Sequence, residues 1–275
     1  MLNNEPKDVE LTYAGQEFEV RDTVNTAFEN EYQSVRISLS KVMESDELFG
    51  IYGNDCYTSI RFGLFAAEDI TAADGSVIPA DGLLSEVSLD EDMTAKFDVQ
   101  IPFGRYYVKE ISTDEYYVLG SEKYLVNFEY MGQDIQNVDI DCGQFVNLLK
   151  RGRIEGHKVD DKSEPLENAV FGLFTADCVK FSRDTAIMTA ASDENGYFVF
   201  DEIPYGEYII HEIESPRGYI LSGKEYAVSI AEDGEVIEIT AENKPVTVEI
   251  SKRDVVLSIS LDTFYSNKNY AARRI

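Results

Sequence analysis

Tryptophan is absent, histidine occurs twice and cysteine three times in this chain of 275 residues. Cys56, Cys142 and Cys178 are odd in number and lack Cys-x-x-Cys spacing, so neither a zinc site nor a disulfide framework is indicated. His157 and His211 lie in strand-like runs whose neighbours suggest surface positions, and no nucleophile or metal motif accompanies them. No metal, no cofactor and no turnover enzyme is therefore expected. Basic residues are also scarce, with 24 Lys and Arg against 52 Asp and Glu and a formal net charge of −28. A phosphate backbone would repel such a chain, which removes nucleic acid from the expected partners. No apolar run approaches the roughly 20 residues of a membrane span, and the residues from Met1 onward are polar rather than signal-like. A secretion signal and a wall anchor are expected to lie outside this chain. What remains is a globular composition, 44% hydrophobic with 17 Tyr and 15 Phe, long enough for about two domains.

Internal repetition organises the chain. Phe-Gly-Leu-Phe occurs at Phe62 to Phe65 and again at Phe171 to Phe174. Ile-Pro-Phe-Gly-Arg-Tyr-Tyr-Val-Lys-Glu-Ile, from Ile101 to Ile111, aligns with Ile-Pro-Tyr-Gly-Glu-Tyr-Ile-Ile-His-Glu-Ile, from Ile203 to Ile213. A junction pattern also recurs: Phe28-Glu29-Asn30 before the run Ser34 to Lys41 matches Ala241-Glu242-Asn243 before Pro245 to Lys252. These matches predict four segments: 1–33 as the last hairpin of a preceding repeat, 34–150 and 151–245 as whole repeats, and 246–275 as a first strand plus an unexplained tail. Such a chain starts and stops inside an array.

Strands are predicted throughout. Short runs rich in Val, Ile, Tyr and Phe alternate with polar residues and are cut by turn signals at Asp193 to Gly196 and Glu232 to Gly234. About seven or eight strands per repeat make a β-sandwich. Helical turns are expected only in loops such as Asp69 to Ala73.

The period of two assigns side chains to faces. Lys41 shares a face with Val35, Ile37 and Leu39, and Lys158 with Ile154 and Gly156. Asn243 shares one with Ile237, Ile239 and Ala241, Asn147 follows Phe145, and Asn30 follows Val24 and Phe28. Lys252 sits with Val246, Val248 and Ile250. Glu110 stands with Tyr106 and Val108, and Glu212 with Tyr208 and Ile210. Taken singly, such a Lys snorkels, such a Glu faces water and such an Asn marks a turn. An inward Lys, Glu and Asn recurring together is costly unless it has a use, because an unpaired buried charge costs several kcal/mol or neutralises. In one apolar pocket, desolvation lowers the Lys pKa and raises the Glu pKa, setting an amine nucleophile beside a neutral acid. The amine can then attack the Asn carbonyl while Glu shuttles protons, expelling ammonia and leaving an amide cross-link.

With these residues in place, the chain resembles the B-type repeat domains of Gram-positive adhesins and pilins, the SpaA-like or CnaB-like family of prealbumin-like fold. The resemblance implies an all-β chain of tandem prealbumin-like, inside-out immunoglobulin-like β-sandwich domains. It also implies isopeptide bonds from Lys158 to Asn243 with Glu212 as catalyst, and from Lys41 to Asn147 with Glu110. The second repeat carries Pro216-Arg217-Gly218-Tyr219 after its Glu, whereas the first lacks Pro-x-Gly-Tyr and has longer insertions, Met43 to Ser59 and Glu68 to Ala95. Lys252 and Asn30 have no partner within the chain. The implied role is a structural stalk on the extracellular face of a cell wall, with neighbouring repeats as partners. The alternative is a binding module for a host matrix protein or glycan, acting through the insertions of the first repeat.

Overall fold

A computed structural model describes residues 10–14, 17–21, 33–53, 57–72 and 74–248. Asn30, Cys56 and Lys252 lie outside them. A short antiparallel hairpin, β1 (Glu10–Ala14) and β2 (Glu17–Arg21), comes first. Two β-sandwiches follow, each with its own apolar core.

The first is built from β3 (Ser34–Met43), β4 (Arg61–Ala66), β5 (Ile70–Thr71), β6 (Val77–Ile78), β7 (Leu83–Ser88), β8 (Thr94–Val99), β9 (Gly104–Ser112), β10 (Tyr124–Phe128) and β11 (Asn137–Asn147). Its two sheets have the orders β11-β3-β8 and β10-β9-β4-β7. The second comprises β12 (Arg151–Asp160), β13 (Val170–Thr175), β14 (Met188–Ala191), β15 (Tyr197–Pro204), β16 (Gly206–Glu214), β17 (Glu225–Ile230) and β18 (Val236–Asn243). Its sheets run β15-β12-β18 and β14-β13-β16-β17, the same topology. In both, the first and last strands are parallel neighbours, β3 with β11 and β12 with β18.

Burial alternates along β3, with Val35, Ile37, Leu39, Lys41 and Met43 inside and Arg36 and Val42 exposed. This follows the period of two, and it carries Lys41 inward with the apolar residues. The two cores solve one packing problem differently. Leu39 faces Ala95 across the first sheet, while Gly156 faces Phe198 at the corresponding place in the second. A Cβ on Gly156 would meet the Phe198 ring at 2.0 Å, so glycine is what lets the ring lie there and stack on Phe171 at a centroid distance of 4.0 Å. Large and small have changed places across the strand pair while the summed volume is kept. Both units also tie the start of their central strand the same way: Tyr106 donates its hydroxyl to Pro102 O and Tyr208 to Pro204 O.

Two local expectations are corrected. Asp69 to Ala72 form no helical turn, because Ile70–Thr71 pairs with Val77–Ile78 as a ribbon, with Gly75 left-handed (φ +83°); Ala73 lies outside the described residues. His211 is half-buried rather than at the surface, stacked under Phe181 at 4.5 Å with Nδ1 unbonded. A neighbouring ring thus covers a position that strand parity alone leaves open. Of the first strand expected after Pro245, only Val246 to Val248 lie among the described residues, and they are exposed.

Candidate functional site

In both units the parallel pairing sets the Lys and the Asn on one face. Lys41 is opposite Phe145 and Lys158 opposite Ala241, so Asn147 and Asn243 each lie two residues beyond the partner of the Lys. A step of two along a strand returns to the same side, which directs both side chains into one pocket. The Glu arrives from the opposing sheet, Glu110 paired with Phe62 and Glu212 with Phe171. All six polar side chains are at most 3% exposed, and that burial decides their chemistry.

The first unit holds its triad in mutual contact. Lys41 Nζ lies 3.0 Å from Glu110 Oε1 and donates to Asn147 Oδ1 at 2.6 Å. Asn147 Nδ2 donates to both Glu110 oxygens at 2.9 Å and to Thr113 Oγ1 at 2.8 Å. The backbone N–H of Gly120 donates to Glu110 Oε2 at 2.8 Å. The Lys41 amine also stands over the Phe62 ring, 5.6 Å from its centre.

The second unit brings Glu212 and Asn243 together but turns its lysine aside. Asn243 Nδ2 donates to Glu212 Oε1 at 2.8 Å, and the Ser222 N–H donates to Glu212 Oε2 at 2.8 Å, matching Gly120 in the first unit. Lys158 Nζ donates instead to the carbonyls of Val159 and Ala241, each at 3.1 Å. Asn243 Oδ1 is buried without a hydrogen-bond partner. A buried carbonyl oxygen left unpaired costs about 1–3 kcal/mol, which draws the lysine amine toward it.

Burial holds the Lys41 and Lys158 amines below the ordinary lysine range, against the opposing pull of nearby carboxylates. Burial also lifts Glu212 above the usual carboxylate range, outweighing its hydrogen bonds from Ser222 and Asn243. A proton passing from Lys to Glu is favoured by such an environment, since it removes two charges from a medium that solvates neither. The products of that transfer are a neutral amine and a neutral acid. In the first unit the Lys41 amine and the Glu110 carboxyl group both sit against the same primary amide.

Several contributors are not apparent from the motifs. Thr113 reaches Asn147 only because β9 runs on past Glu110 into the pocket wall. Tyr117 follows Glu110 by seven positions, as Tyr219 follows Glu212, and this spacing was readable. Each tyrosine bridges the chain just after its unit's Asn, Tyr117 with Leu149 and Tyr219 with Pro245. The Pro-x-Gly-Tyr turn closes with Tyr219 N donating to Pro216 O at 3.1 Å, and the first unit closes the same turn with Tyr117 N and Asp114 O at 3.1 Å. There Asp114 Oδ1 accepts the Tyr116 N–H, so an aspartate does the turn-forming work of proline.

Three residues of the insertion Met43 to Ser59, Glu44, Asp46 and Phe49, meet the second unit, while Met43, Ile51 and Tyr57 pack on the first core. Glu44 and Asp46 accept from Arg151 at 2.9 and 3.0 Å, and Phe49 packs edge-on against Tyr208 at 5.8 Å. Tyr52 stays 60% exposed at the mouth of a cleft of about 480 Å³, lined also by Phe49, Tyr116 and Tyr205.

Residues 152–259 match the family model described as SpaA, prealbumin-like fold domain. The second sandwich, which makes up most of this stretch, has the prealbumin-like fold, and the first sandwich repeats its topology. No curated protein matches the chain. Among solved structures, the Bacillus anthracis TIE protein is similar at 20% identity and a TM-score of 0.57, over 88% of this chain and 40% of that one. The chain thus spans well under half of that relative's length. The minor pilin GBS52 of Streptococcus agalactiae matches at 18% identity and a TM-score of 0.34, covering 80% of this chain and 100% of that one. A C-terminal fragment of the pilus adhesin SpaC from Lactobacillus rhamnosus GG matches at 13% identity and 0.47, covering 78% and 99%. Among the described residues no helix is long and apolar enough to cross a membrane.

Proposed function

We propose that this chain is a stalk segment of a Gram-positive surface adhesin or pilin, in which each sandwich staples its first strand to its last by a self-made Lys–Asn amide. The arrangement of Lys41, Glu110 and Asn147 carries this reading: amine, acid and amide within 2.6 to 3.0 Å of one another in a buried pocket. Glu110 takes a proton from Lys41, and the freed amine attacks Asn147 Cγ. Glu110 then returns that proton to the departing nitrogen and takes the second proton from the attacking one, ending protonated. One C–N bond forms, one breaks, and ammonia leaves. The same roles fall to Lys158, Glu212 and Asn243 once the lysine swings from the backbone carbonyls toward the unpaired Asn243 oxygen. The reaction happens once per site, so Glu110 and Glu212 are catalysts without turnover.

On this reading 1–33 closes a preceding repeat, 34–150 and 151–245 are whole repeats, and 246–275 holds the first strand of a further repeat and an unexplained tail. A covalent tie between first and last strands keeps a pulled sandwich from extending beyond it, which suits a tether at a cell wall. Intact mass of the purified chain tests this. Two missing ammonia masses are expected, and the full sequence mass refutes it. A second reading, recognition of a host protein or glycan, is favoured by the aromatic cleft between the units with Tyr52 at its mouth.

A further inference from the structure

The stapling chemistry proposed for the first unit leaves one contact unused. Asn147 Nδ2, the nitrogen that would leave, has three oxygen acceptors around it: both oxygens of Glu110 and Thr113 Oγ1. We propose that Thr113 is a catalytic residue of this site, holding the leaving nitrogen while Glu110 changes from proton acceptor to proton donor. The inference rests on the stapling reading.

An amide nitrogen has two hydrogens to place. In the reactant one hydrogen is shared by the two Glu110 oxygens and the other points to Thr113 Oγ1. Once Glu110 has taken the Lys41 proton, one of its oxygens carries hydrogen and must donate to Nδ2 as the C–N bond breaks. Its other oxygen is already bound by the Gly120 N–H at 2.8 Å. At that moment the nitrogen needs an acceptor that does not change role. Thr113 Oγ1, at 2.8 Å, is that acceptor, and holding one hydrogen there turns the developing lone pair of nitrogen toward the Glu110 proton. The second unit provides a contrast. Its residue at the matching position, Ser215, donates to Tyr219 O at 3.1 Å instead of meeting Asn243.

Cell-free synthesis of the full chain, quenched in acid at intervals and mapped by peptide mass spectrometry, tests the assignment. Thr113→Val should slow appearance of the Lys41–Asn147 linked peptide about fivefold to tenfold, the worth of one hydrogen bond. Thr113→Ser should restore the rate, and the Lys158–Asn243 peptide should appear at the same rate in every variant. Thr113→Ala is run beside Val, since a smaller side chain cannot clash with the pocket. Wild-type rates in Val and Ala, or failure of Ser to outpace them, overturn the role of Thr113 while leaving the staple intact. Absence of the Lys41–Asn147 peptide from the wild type overturns the first-unit staple and this role together.

Discussion

Replacing Lys41 with Met removes the nucleophile while keeping a flexible apolar stem in the same space. The staple it would form joins residues 106 positions apart. Closing a loop of that length restricts the unfolded chain by about 5 kcal/mol on the chain-entropy scale. At roughly 4 °C per kcal/mol for a domain of this size, the first unit should melt about 20 °C lower. A fall in stability alone does not separate this from loss of the buried Lys41–Glu110 pair, which itself is worth about 3–5 kcal/mol when one partner is deleted. The denaturant slope separates them. A cross-linked unfolded chain is compact and exposes less surface, so the unlinked variant must unfold with a larger m-value as well as a lower midpoint. Guanidinium unfolding followed by circular dichroism, with intact mass measured on the same samples, reads both. A midpoint that drops with m unchanged, and with no gain of one ammonia mass, refutes the staple in the first unit.

The second unit offers a packing test that does not depend on covalent chemistry: Gly156→Ala drives a methyl into the Phe198 ring and should destabilise that sandwich by about 3 kcal/mol in a thermal melt, with the first sandwich unmoved. The unit junction turns on Arg151, which bonds Glu44, Asp46 and the Glu202 carbonyl. Arg151→Ala should broaden the distribution of inter-unit angles in small-angle scattering while costing about 1–3 kcal/mol, the scale of a charged hydrogen bond. In Asn243→Ala, where no staple can form, pH dependence exposes the buried pair. Glu212 is raised when folded, so the folded state binds more protons there and stability falls as pH climbs above 4.5 through its folded value. Lys158 is lowered when folded, so the unfolded state binds more protons and stability rises again between its folded value and 10.5. A flat urea midpoint from acid to alkaline pH would remove the argument from buried charge.

Period-two alternation is a local property, and it was enough to place Lys41, Asn147 and Asn243 on inward faces; for Lys158 the pattern is weaker, and Glu110 and Glu212 stand on strands apolar on both faces, where only the packing turns them inward. Repetition of Phe-Gly-Leu-Phe and Ile-Pro-x-Gly was enough to show two like sandwiches in one chain. Which triad is drawn together was not written there. The Pro-x-Gly-Tyr motif points to the second unit, yet the first unit brings all three groups into contact. Asp114 replaces the proline turn, and Lys158 finds two backbone carbonyls in its own strand pair. Those distances depend on how two sheets face each other across a core, a relation between residues 106 apart in sequence that no strand pattern encodes. The same holds for the insertion Met43 to Ser59. Its acidic and aromatic composition reads as a free surface loop, while the packing of Glu44, Asp46 and Phe49 against Arg151 and Tyr208 makes that part of it a joint between the units. Sequence determined which side chains turn inward where a strand alternates, because facing there is set residue by residue. Tertiary structure decided which of them meet, because meeting requires the summed packing of both sheets.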